Sequence, residues 1–351
     1  MTYIADRSKS RDNNFNLIRI LAALAVLISH AHPITQGFGA TEPFQQSLGH
    51  SLGTLAVYAF FILSGFLIAN SFERSRSQAD FIIARMLRIL PGLIISVLFV
   101  MLVIGPIATT LPLHLYLAAP ATWEFLPRNV LLMYPQYTLP GVFTDQPYPS
   151  VEGSIWTLFY GVICYFGLFL IGVIGLLRHR VAFTVATLLF LAAWITLSVL
   201  TVDLHPKLRN LMGLSAPFAI GMLAYTWQHR IGLSVWIALT LCALTWALRA
   251  TVLYDLSLLV TMTYALFWLA YIPSGLIRAY NRLGDYSYGL YIYAFPMQGF
   301  AVFLFGAQTP LQNIMFALPL SLIPAILSWH YAEQPFLSAR RMLVARWHTI
   351  V

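Results

Sequence analysis

Apolar stretches of about 20 residues without a charged side chain recur from one end of this chain to the other. A helix of that length just crosses the hydrocarbon core of a bilayer, where every backbone polar group must find its partner inside the segment. A chain that repeats such stretches is constrained to a bundle of transmembrane helices. The intervals predict ten spans, over about residues 15–34, 53–72, 89–108, 154–177, 181–201, 211–228, 232–250, 257–277, 286–305 and 311–331. Between Asp285 and Glu333 lie 47 uncharged residues, room for two spans, with Gly306 and Pro310 marking the break between them. Composition agrees, because only 9% of the residues are charged against roughly 25% in a soluble domain. No repeat, low-complexity tract or appended soluble block interrupts the pattern. The expectation is one all-α, polytopic integral membrane domain over residues 1–351.

The net charge is +8, from 20 Lys and Arg against 12 Asp and Glu. Such a balance can mark a nucleic-acid partner, but in a membrane chain it reports orientation, and no nucleic acid is expected. Arg7, Lys9 and Arg11 precede the first apolar run, as in a leader peptide. The run is too long for one, contains Arg19, and ends in Ser29-His30-Ala31-His32-Pro33 rather than at a cleavage site, so it reads as a retained first helix. With the N-terminus inside, 15 Lys and Arg fall in the inner segments and four in the outer ones. That bias predicts both termini in the cytoplasm, and the expected location is the plasma (inner) membrane. Cys164 and Cys242 are isolated in apolar stretches and indicate neither a disulfide nor a metal site.

Within the spans a few residues stand out. Arg19 and His30 are eleven positions apart, three helical turns plus about 20°, which puts them on one face roughly 16 Å apart. Ionisable groups there mark a functional site, although arginine can also snorkel to the interface and histidine can sit hydrogen-bonded in a core. Ser64-Gly65, inside a wholly apolar run, has close helix packing as its simplest role. Arg85 and Arg88, spaced i and i+3, share a face and can clamp phosphate oxygens, or can set topology alone. The outer stretch 109–153 has no helical periodicity, and such long connections are often functional. With the adjoining Trp156 it holds Trp123, Tyr134, Tyr137 and Tyr148, which suit sugar stacking or interfacial anchoring.

Six motifs in order, covering nearly the whole chain, resemble the membrane-bound acyltransferase family 3, which includes enzymes that O-acetylate bacterial surface polysaccharides. They are Phe15-Asn16-Leu17-Ile18-Arg19 leading to His30; Phe60 to Ile68 around Ser64-Gly65; and Phe81 through Arg85 and Arg88 to Pro91. Gly153-Ser154-Ile155-Trp156-Thr157-Leu158, Leu283-Gly284-Asp285-Tyr286-Ser287 and Glu333-Gln334-Pro335-Phe336 complete the set. The resemblance implies that Arg19 and His30 are required for activity. It also implies that Arg85 and Arg88 hold the phosphates of an acyl-coenzyme A at the cytoplasmic face, with Ser64, Trp156 and Glu333 supporting the site. Two positions depart from the pattern: Gly161 stands where members commonly carry glutamate, and Ala294 where many carry histidine.

Acyl transfer from a thioester to a hydroxyl needs a base or acyl carrier, and stabilisation of the oxyanion. His30 suits the first task, since burial favours the neutral imidazole that accepts a proton. Arg19 stays charged and is assigned to the anionic donor or the thioester. The expected donor is acyl-coenzyme A, most simply acetyl-coenzyme A, without a metal. The expected partners are membrane lipid and a saccharide or lipid-linked saccharide acceptor. The competing readings are an acyltransferase for a small-molecule acceptor and a transporter or flippase using Arg19 and His30 as a relay.

Overall fold

The computed structural model describes residues 2–8, 10, 12–200 and 202–340; Lys9, Arg11, Arg341 and Arg346 of the orientation count lie outside them. The main helices are α1 (Phe15–Gln36), α2 (Leu52–Arg74), α3 (Gln78–Phe99), α4 (Pro120–Leu131), α5 (Trp156–Val173) and α6 (Arg180–Val199). They continue with α7 (Pro206–Thr226), α8 (Val235–Ala247), α9 (Tyr254–Tyr271), α10 (Ser287–Phe305) and α11 (Pro310–Ser328). The protein is an all-α integral membrane bundle. Seven described helices are long and apolar enough to cross a bilayer, and α9 with its sharply bent continuation Gly275–Arg282 makes an eighth. This agrees roughly with ten expected spans, each of which is occupied by one of these helices. The shortfall lies in α8, only 13 residues long, and in α7, whose first turn carries Lys207 and Arg209.

The chain divides into two compact units. The first comprises the described residues of Met1–Arg19, Val57–Arg74 and Tyr160–Leu283. Here α2 and α7 touch backbone to backbone: a Cβ on Gly65 would collide with the carbonyl oxygen of Phe218, and one on Gly221 with that of Ile62. This reciprocal contact is what a small residue in an apolar helix permits. Around it pack Phe66 on Phe267, with ring centroids 4.5 Å apart, and Phe15 on Tyr271, at 5.3 Å. Asn14 ties the start of α1 to the end of α9, its Nδ2 donating to Leu269 O and Pro273 O at 2.9 Å each.

The second unit comprises the described residues of Ile20–Ala56, Ser75–Phe159 and Gly284–Val351. Its central element is α10, with 14 of 19 residues buried. Gly289 lets α11 come close, since a Cβ there would sit 2.8 Å from Ala325 Cα. The stretch 109–153, aperiodic in sequence, is ordered by packing. Pro112 and Pro120 sit at the starts of the short helix Leu113–Ala118 and of α4. Tyr116 and Phe125 are fully buried, and the Tyr116 hydroxyl donates to Met101 O at 2.7 Å. Asn129 then closes the following turn, donating to Gln136 O and accepting from Gln136 N at 3.0 and 2.9 Å. These contacts join residues distant in sequence, which is why no local period announces them.

Candidate active site

Helix α1 carries His30 into the second unit. The imidazole meets Phe295 of α10 edge-on, with centroids 5.4 Å apart at 81°, and its Nδ1 is buried without a hydrogen-bond partner. One turn on, Ile34 packs with Phe295, Val302 and Tyr148. A carboxylate stands close by. Glu42, in the turn after α1, accepts from the Ser29 hydroxyl, which itself accepts from Gly53 N at 2.8 Å, and its charge acts on His30. Burial, with Glu42 nearby, pushes the Tyr148 hydroxyl above its usual pKa, and the Tyr148 ring packs against Phe38 at 4.2 Å and meets Phe295 edge-on at 5.7 Å.

The start of α10 holds a charged cluster. Arg88 of α3 donates to Asp285 at 2.5 Å, and Asp285 also accepts from the Ser287 hydroxyl. Tyr288 donates to Ile89 O at 2.8 Å and lies where a Cβ on Gly92 would be, beside Glu333. Glu333 ends a π-helical turn, Trp329–Glu333, a local unwinding often found at functional positions. Its Oε1 accepts from Ser328 at 3.1 Å, its Oε2 is buried without a partner, and the charges of Arg88 and Asp285 reach it. Arg85, one turn before Arg88, is half-buried with its guanidinium 5.9 Å from the Phe81 ring centroid.

Between that cluster and Phe295, α10 is lined by polar groups. Tyr291 donates to Ser154 O at 3.1 Å and pairs with the Thr157 hydroxyl. The Ser154 and Ser96 hydroxyls and both carboxyl oxygens of Glu152 are buried without partners. Inside a membrane protein an orphaned polar group costs about 1–3 kcal/mol or more, which makes these atoms the candidate contacts for a ligand.

The second unit therefore holds Arg88 and Glu333 at the start of α10, with Arg85 one turn before Arg88 on α3, and His30 further along against the middle of α10. Arg19 and Ser64 belong to the first unit: Arg19 is half-buried on α1 three turns before His30, and Ser64 adjoins the glycine that packs on α7. Trp156 is 36% exposed at the start of α5, while its neighbour Thr157 joins the α10 network. Of the two departures, Gly161 opens on empty space and Ala294 is fully buried. The sequence reading passed over Glu42, Glu152 and Asp285 as site residues. The available signal was their rarity, since the chain has only 12 acidic residues.

Comparison with known proteins bears on the chain as a whole. A family model described as acyltransferase domain matches residues 12–331. Nodulation protein 10 of Rhizobium leguminosarum bv. viciae is 27% identical over 97% of both chains. An O-acetyl transferase of Shigella phage Sf6 is 27% identical over 93% of this chain and 97% of its own. No solved structure matches the chain. The family model spans both ends of α10 and nearly all of the bundle, and on that ground the chain belongs to the membrane-bound acyltransferase family 3.

Proposed function

We propose that the protein is an integral membrane O-acyltransferase that moves an acetyl group from cytosolic acetyl-coenzyme A to a hydroxyl of a cell-surface or lipid-linked saccharide. The observation that carries this reading is a half-buried His30, its buried Nδ1 without a hydrogen-bond partner, against the middle of α10, with the Arg88, Asp285 and Glu333 cluster at the start of that helix. In the proposed orientation the cluster faces the cytoplasm, where Arg85 and Arg88 receive the donor phosphates and the pantetheine arm extends along α10 toward His30. About eight residues separate Ser287 from Phe295, or 12 Å of helix, a span that a long flexible arm covers.

His30 takes the proton of the acceptor hydroxyl as its oxygen attacks the thioester carbonyl, and returns it to the departing sulfur. Glu42 favours the imidazolium formed in between. Trp156 and Tyr148 contribute aromatic surface on the acceptor side. The O-acetyl transferase relative supports the acetyl group as cargo.

The test is transfer of labelled acetyl from acetyl-coenzyme A by purified protein, with surface glycans compared by mass and NMR with and without the chain. Loss of an O-acetyl group on deletion is expected. Absence of coenzyme A binding by the purified protein would reject the reading in favour of a transporter.

A further inference from the structure

Resting on that reading of the reaction, we propose that Glu152 is a further catalytic residue, a neutral carboxylic acid that donates its O–H to the oxyanion formed when the acceptor attacks the thioester. Glu152 is 1% exposed, and neither carboxyl oxygen has a hydrogen-bond partner. Its backbone is firmly held: Ser150 Oγ donates to Glu152 O at 3.1 Å and to Tyr137 O at 3.0 Å, and Val151 N donates to Tyr137 O at 2.8 Å. The next residue, Gly153, is pressed against the Phe295 ring so closely that no Cβ fits, and Phe295 is the ring that His30 touches. The carboxyl lies within electrostatic reach of Tyr291 and Tyr293 on the same helix, and the adjacent Ser154 hydroxyl is also buried without a partner.

A carboxyl kept only for structure would spend its oxygens on protein donors. This one has a rigid mount and no protein partner, so its partner arrives with the substrates. Burial pushes the Glu152 carboxyl well above the usual carboxylate range and so favours the protonated form, the one able to donate. A neutral O–H is the donor that a developing negative oxygen requires, whereas an ionised carboxylate would repel it.

The balance closes without further reactants. The hydroxyl oxygen bonds to the carbonyl carbon, His30 takes the hydroxyl proton, and the carbonyl π pair moves onto oxygen, where Glu152 hydrogen-bonds it. The C–S bond then breaks as the π pair returns, and sulfur takes the proton from His30. Glu152 keeps its own proton throughout.

Steady-state kinetics of Glu152→Gln and Glu152→Ala, with acetyl-coenzyme A and acceptor, provide the test. The glutamine amide keeps a donor, so Glu152→Gln is expected within about tenfold of wild type, while Glu152→Ala loses about 100- to 1000-fold in kcat with little change in donor KM. Because the raised pKa keeps the acid neutral below it, wild-type activity is present at neutral pH and falls as alkaline pH ionises the carboxyl. Glu152→Gln lacks that limb. The other titratable groups facing this region, His30, Tyr291, Tyr293 and Glu333, remain in both proteins.

Infrared difference spectra of wild type against Glu152→Gln add a readout independent of acyl transfer, and of whether Glu152→Ala folds. A protonated-carboxyl band at neutral pH is expected. A carboxylate band there, wild-type kcat in Glu152→Ala, or Glu152→Gln as impaired as Glu152→Ala would overturn the proposal. Should wild type transfer no acyl group, the functional reading fails, while the band still decides the state of Glu152.

Discussion

His30 and Arg19 share a helix and differ in what they can do, and substitution separates their roles. His30→Ala is expected to insert and fold, since it trims a side chain whose Nδ1 has no partner to lose, yet to lower kcat on the order of a hundred- to ten-thousandfold. Near-normal turnover of the purified variant would remove His30 from the mechanism. Arg19→Lys keeps the charge and loses the planar fork, so a drop in activity beyond what charge explains is expected; wild-type kinetics would leave Arg19 as a snorkelling residue. At this scale the sequence singled out residues whose type is costly in a membrane, and the structure added those whose cost comes from surroundings. Glu152 is ordinary at the edge of the stretch 109–153; only its burial without a partner makes it a candidate.

Between elements, glycines and arginines carry the constraints. Gly65→Val and Gly221→Val each force α2 and α7 apart against backbone carbonyl oxygens that have no rotamer to give. Each is expected to destabilise the folded protein by about 1–3 kcal/mol or more, read as a lowered midpoint in detergent thermal unfolding. An unchanged midpoint would mean that the helices do not meet there. The pair on α3 poses a different question, because Arg88 already donates to Asp285. The double variant Arg85→Lys, Arg88→Lys keeps the positive charge that sets topology and loses two planar forks. It is expected to insert normally and to bind acetyl-coenzyme A more weakly, with acceptor affinity little changed, in a donor titration at matched ionic strength. Equal donor dependence would leave these arginines as topology signals.

For the molecule as a whole, the excess of Lys and Arg in alternate segments makes orientation testable. A cysteine at the exposed Gln78, beginning α3, is expected to be shielded from a membrane-impermeant thiol reagent in intact cells, while one at the exposed Met133 reacts. Labelling at Gln78 before lysis would reverse the orientation and remove the cytosolic donor. The sequence by itself determined that this chain enters a membrane as helices, because hydrocarbon leaves the polar backbone no partner other than itself, and span length follows from bilayer thickness. Its ordered motifs also pointed to the family, and its isolated intramembrane ions to His30 and Arg19. The tertiary structure decided what periodicity cannot encode. Pairing of Arg88 with Asp285, approach of Glu42 to His30, the packed interior of 109–153 and the orphaned Glu152 all join residues far apart in the chain, or depend on what those residues exclude. Burial and hydrogen-bond satisfaction are properties of the assembled space, so they came into view only when the helices were in place.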